Sequence, residues 1–136
     1  MNDELATLEA QCESATSPEA YTLALLALTE YLETRDPARA VILSDQVIRL
    51  AKESGDSRAA LRGYLHLAKG QESLGEYSVA ADHALRALDM AREQGNISGE
   101  VRAIMLLGNA HFYAGDSGQA LNHYMTALKL NDSLGD

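Results

Sequence analysis

The chain has 136 residues, 46% of them hydrophobic, and a net charge of −9 from 11 basic and 20 acidic side chains. That length suits one domain with its own core, and the acidic balance disfavours general attraction to nucleic acid or anionic membranes. A single cysteine, Cys12, excludes an internal disulfide and a cysteine-rich zinc site, and the opening Met-Asn-Asp-Glu lacks the basic and apolar regions of a secretion signal.

In chain order, Leu5, Leu8 and Cys12 fall at helical spacing behind Asp3 and Glu4, which suit a helix amino end. A short helix over residues 2 to 14 follows, with Glu9, Gln11 and Glu13 turned outward as a polar cap. Ser17-Pro18-Glu19 starts a helix to about Thr34, and Asp36-Pro37 starts another that Gly55 ends. Leu23 to Leu28 is the longest clean apolar run, far too short for a membrane span, so the expected location is the cytoplasm. Asp56 or Ser57 caps a helix to Leu74, and Glu76 or Tyr77 opens one that stops before Gly95. Ser98 caps the next, to about Ala114, and Asp116 or Ser117 caps the last, to about Ser133. Six long helices and a short one, joined by tight turns, form antiparallel neighbours.

These helices are one unit written three times. Gly75-Glu76-Tyr77 precedes Gly115-Asp116-Ser117 by forty positions, as Ala80, Ala87-Leu88 and Gly95-Asn96 precede Ala120, Ala127-Leu128 and Gly135-Asp136; backward, Ala80 falls on Ala40 and Gly95-Asn96 on Gly55-Asp56. Within the third unit the spacing runs Ile104, Leu107-Gly108, His111, Gly115, Ala120, Tyr124, Ala127-Leu128, and the second offers Tyr64, Leu67-Ala68, Gln71, Gly75, Tyr77, Ala80, Ala84 and Ala87-Leu88. That pattern resembles the tetratricopeptide repeat, although the family's usual period is about 34 residues. The resemblance implies an all-α, right-handed superhelical array of antiparallel helix pairs, with units at 17–56, 57–96 and 97–136 behind a capping segment at 1–16. Ala68, Gly108, Ala80 and Ala120 should then stand where the two helices of a unit approach most closely.

A search for chemistry finds little. Gly115-Asp116-Ser117-Gly118 spells the nucleophile segment of chymotrypsin-like proteases, but its context is helical and a motif needs its structural setting. His66, His83, His111 and His123 show no metal-ligand spacing, and no phosphate-cradling loop occurs, so neither an enzyme nor a metal or cofactor site is expected. One feature stands out: Arg58, Arg62, His66 and Lys69 lie within an arc of about 80° on one helix.

In tetratricopeptide arrays the first helix of each unit lines a concave groove. The resemblance therefore implies a partner site of Arg58, Arg62, Leu65 and Lys69 with Arg102, Met105, Asn109, Phe112 and Tyr113; Thr22, Leu25, Thr29, Leu32 and Glu33 would come from the first unit. The expected partner is a protein or peptide, with an acidic character that suits the arginines. Cochaperones of this family clamp a terminal carboxylate with Lys, Asn and Arg. Here the matching places are Leu25, Thr29, His66, Arg102 and Leu106, of which only Arg102 agrees, so that clamp is not expected. The forty-residue unit with Gly-Asp or Gly-Asn turns is similar to arrays of bacterial signalling proteins, ahead of diguanylate cyclase or kinase domains. The alternatives are an intracellular sensor of a peptide signal in a transcription regulator, and a self-association module. The last helix carries Leu121, Tyr124, Met125, Leu128 and Leu130, more apolar residues than one neighbour needs. The expectation is an amino-terminal fragment of a longer protein that self-associates through Leu121, Tyr124, Met125 and Leu128, most simply as a two-fold dimer.

Overall fold

Side chains start most of the helices, an exception being the one behind Glu76, whose side chain makes no capping hydrogen bond. The computed structural model describes residues 3–134, and among them the chain forms α1 (Asp3–Ser14), α2 (Pro18–Leu32), α3 (Pro37–Ser54), α4 (Ser57–Ser73), α5 (Tyr77–Gln94), α6 (Ile97–Tyr113) and α7 (Ser117–Leu134), with no strand. The Gly135-Asp136 junction and the first two residues lie outside them. Ser17 Oγ accepts the Ala20 N–H at 3.1 Å, Asp56 Oδ1 that of Ala59 at 3.0 Å and Asp116 Oδ1 that of Gln119 at 3.1 Å. Each such bond satisfies an amide that the helix leaves without a partner, a contribution of about 1 kcal/mol. Asn96, not Ser98, caps α6: its Oδ1 accepts the Gly99 N–H at 2.8 Å, and α6 therefore starts earlier than the sequence suggested.

The backbone stops the helices. Gly55, Gly75, Gly95 and Gly115 all take positive φ, and the next amide turns back into the helix, as in Asp56 N–H to Ala51 C=O at 2.9 Å and Asn96 N–H to Ala91 C=O at 2.8 Å. A glycine adopts that left-handed turn without strain. The first turn differs, since Asp36 donates its N–H to Leu32 C=O at 2.7 Å and Pro37 opens α3.

Three antiparallel pairs result: α2 with α3, α4 with α5, and α6 with α7, preceded by α1 on α2. The first helices of successive pairs also touch, α2 on α4 and α4 on α6, whereas the second helices α3, α5 and α7 do not approach one another. The array therefore curves with its first helices on the inner face.

Small residues set the helix spacing. A Cβ built on Gly108 would lie 2.6 and 2.8 Å from two ring carbons of Tyr124, inside van der Waals contact. Ala80 and Ala120 are buried, as the repeat predicts. Two further close approaches join units: a Cβ on Gly63 would stand 2.8 Å from Ile48 Cγ1, and one on Gly70 would stand 3.0 Å from Val41 Cγ2. Ala40, Ala68, Ala84, Ala87 and Ala103 fill the rest of the seam, fully buried.

Two glycines make opposite predictions. Gly108→Ala should lower the urea midpoint, because overpacking costs about 1 to 3 kcal/mol and exceeds the helix-propensity gain of about 1 kcal/mol. Gly118→Ala, where the nearest neighbour to an added Cβ is Asp116 Oδ1 at 3.9 Å, should raise it.

Candidate partner-binding groove

The inner face is built from α2, α4 and α6, and burial sorts the expected groove residues into two groups. Arg58, Arg102, Met105, Phe112 and Tyr113 are exposed, and Arg62, Lys69 and Asn109 are half-buried. Leu65 is 2% exposed and belongs to the core, so it is not available to a partner. Thr22, Leu25, Thr29 and Leu32 are buried as well. The reason is packing from several sides: Leu25 clusters with Val47 and Ala51 of α3 and Ala59 and Ala60 of α4, Leu32 with Ala40 of α3 and Leu5 and Leu8 of α1, and Leu65 with residues of α5 and α6.

The basic arc of α4 is also divided. His66 is 2% exposed, and its Nδ1 lies 2.7 Å from Glu33 Oε2, so the ring donates there to a carboxylate. Its Nε2 is buried with no hydrogen-bond partner among the described residues. Lys69 Nζ reaches Glu72 Oε1 at 3.6 Å, Glu72 Oε2 accepts Asn109 Nδ2–H at 3.3 Å, and Asn109 Oδ1 accepts the Tyr124 hydroxyl at 2.6 Å. This chain of contacts ties α4, α6 and α7 together. It also directs Tyr124 inward, with its ring on Gly108, so Tyr124 is not on the outer surface of α7 where self-association would need it.

What remains are three arginines on the first helices, with the Asp56 carboxylate lining the same hollow as Arg58 and Arg62. Arg58, Arg62 and Arg102 make no ion pair among the described residues. Arg58 and Arg62 border a hollow of about 330 Å³ between α2 and α4, floored by buried Leu26 and Ala59 and flanked by exposed Leu23. Arg102 repeats the register of Arg62 on the neighbouring first helix, with exposed Met105 and Phe112 further along the same helix. Tyr113 turns aside and stacks on Tyr77 with ring centroids 5.2 Å apart, at the edge of the face.

Two features escaped the sequence. A hollow of about 500 Å³ opens on the outer side between α3 and α5, bordered by Arg49, Lys52 and His83 and floored by Tyr64. His111 and His123 stack across the α6–α7 turn with centroids 5.1 Å apart. His111 stands four residues before Gly115 and His123 eight after it, a spacing that carries no signal until antiparallel packing brings the rings together. Among the described residues no group of three or more His, Cys, Asp or Glu is placed to hold a metal, and no helix is long and apolar enough to cross a membrane.

The caps, the small-residue seam and the inner layer of first helices define a helical-repeat domain of the tetratricopeptide fold. The chain is similar in structure to the tetratricopeptide domain of Arabidopsis FLU, with a TM-score of 0.79 and 16% sequence identity over 86% of this chain and 99% of that one. No family model and no curated protein matches the sequence.

His123 makes stability depend on pH. Burial, and secondly the neighbouring His111, lower the His123 pKa from its ordinary 6.5. The unfolded chain then takes up the proton more readily, so this contribution is intact above pH 6.5 and declines as pH falls through that value and below it. Wild-type protein should lose more melting temperature between about pH 7.5 and pH 5 than His123→Gln does; equal losses would refute the assignment.

Proposed function

We propose that the chain is a non-catalytic binding module that recognises an acidic, partly apolar segment of another protein along α2, α4 and α6. The observation that carries this reading is the unpaired set Arg58, Arg62 and Arg102 in a protein with a net charge of −9. Unpaired arginines beside a hollow offer planar donors for carboxylates. Exposed Leu23, Met105 and Phe112 flank them and supply apolar contact that orients the segment. A role as a regulatory module in the cytoplasm, within a bacterial signalling protein ahead of a cyclase or kinase domain, is supported by the forty-residue period and its Gly-Asp and Gly-Asn turns.

The test uses fluorescein-labelled peptides in which Glu or Asp alternates with Leu or Phe, read by anisotropy. Wild-type protein should bind them, and added salt should weaken binding because exposed charges are screened over about 8 to 10 Å. Arg58→Glu with Arg62→Glu should reduce affinity by at least about tenfold, since a charge-assisted contact contributes about 1.5 to 3 kcal/mol. The melting temperature should hardly move, as both side chains lie outside the core. Affinity that ignores both salt and the reversal would refute the proposal.

A further inference from the structure

The outer side of the array holds a trough between α3 and α5, floored by α4. Besides the hollow of about 500 Å³ at Tyr64 and Leu67, a second of about 230 Å³ opens further along, over Ala60 and beside Met90. Both are lined by Lys52 and Tyr64, which therefore stand at the middle of the trough. Together the hollows fall in the size range of small-molecule sites, about 300 to 1,000 Å³. Two rings shape the middle: Tyr64 is half-buried, and the His83 ring lies beside it at 6.0 Å between centroids, tilted by 31°. His83 is held there by its Nδ1, 2.8 Å from Gln71 Oε1; an amide oxygen only accepts, so Nδ1 carries the proton.

Positive charge collects at the same place. Arg49 and Lys52 reach the trough from α3 and Arg86 from α5. All three side chains are exposed, and none makes an ion pair among the described residues. Lys52 Nζ instead hangs over the Tyr64 ring, 5.7 Å from its centroid. The carboxylates that line the hollows stand at opposite ends, Asp45 at the Ile42 end and Asp56 at the turn into α4, where its Oδ1 is occupied by the Ala59 amide. The scaffold does not require this arrangement. Forty residues on, Asp89 stands for Arg49, Ile104 for Tyr64 and Thr126 for Arg86, and Arg92, in the place of Lys52, pairs with Glu100 at 3.9 Å.

We infer that the trough between α3 and α5 binds a small aromatic phosphomonoester, its phosphate held by Arg49, Lys52 and Arg86 and its ring laid on Tyr64. A phosphomonoester carries a charge of about −1.5 to −2 and three acceptor oxygens, which suit three cations arriving from two helices. A carboxylate has two oxygens, and one arginine fork already satisfies both. Movement of Lys52 Nζ onto the phosphate uncovers the Tyr64 face, so the ring of the ligand replaces a cation there with an offset stack. Leu67 in one hollow and Met90 in the other give that ring apolar walls. The net charge of −9 repels anions at a distance, so binding rests on these short contacts. This site lies on the outer side and is independent of the arginine groove.

The probe is phenyl phosphate, titrated into the intact protein by calorimetry beside inorganic phosphate and benzoate. Phenyl phosphate should bind saturably and at least about threefold more tightly than either, the margin that one aromatic stack supplies. Arg49→Gln with Arg86→Gln should weaken it at least about tenfold through the loss of two charge-assisted contacts. Arg58→Gln with Arg62→Gln, on the inner face, should leave it unchanged. Tyr64→Leu should bring phenyl phosphate down to the affinity of inorganic phosphate; if that variant unfolds, the comparison of the two anions on wild-type protein makes the same test. Circular dichroism checks that the arginine variants keep the fold. No saturable binding, inorganic phosphate or benzoate binding as tightly as phenyl phosphate, or affinity unmoved by the Arg49 and Arg86 changes overturns the inference. Loss of binding in the Arg58 and Arg62 variant also overturns it, since the anion would then sit in the inner groove.

Discussion

The near-contact of Gly108 with the Tyr124 ring, where an added Cβ would come within 2.6 Å, fixes how closely the two helices of the last pair can lie. Gly63 against Ile48 and Gly70 against Val41 do the same between pairs. Such contacts give the large partner close neighbours on every side, so many weak dispersion contacts add up without strain. An alanine-rich chain with few aromatics can build a core this way. The cost is that each small residue is committed to one large partner, which makes the seam intolerant of growth.

That spacing also controls the polar chemistry of the inner face. With its ring lying on Gly108, Tyr124 brings its hydroxyl within hydrogen-bonding distance of Asn109, whose amide reaches Glu72, whose other oxygen faces Lys69. One carboxylate thereby absorbs a lysine charge, and Glu33 occupies His66. The four-residue basic arc is reduced to Arg58 and Arg62, extended sideways by Arg102. Charge on this face is arranged by packing as much as by composition.

Turns, caps and the repeat were legible because each is local: Pro37 behind Asp36, glycine at the helix ends, small residues at fixed intervals. Ser98 misled because it is a good cap two places beyond a better-placed one, Asn96. The inner face was read less well. A first helix here meets its own partner, the preceding second helix and the neighbouring first helices, so most of its circumference is buried. Periodicity marks an apolar stripe but not how many neighbours press on it, and Leu65, Leu25 and Thr29 were therefore assigned to a groove that the structure closes over. His66 with Glu33, and His111 with His123, are joined only by tertiary packing and left no trace in local spacing.

The first helices touch from unit to unit while the second helices stand apart with a hollow of about 500 Å³ between α3 and α5. Successive pairs are joined chiefly by each second helix packing on the next first helix, α3 on α4 and α5 on α6. The inner face keeps a nearly constant pitch, set by the separation of packed helices, about 8 to 10 Å. An extended chain advances about 3.3 Å per residue. A strand laid across α4 and α6 would meet Arg62 and then Arg102 about every third residue, the interval at which acidic groups would have to recur in a segment bound as proposed.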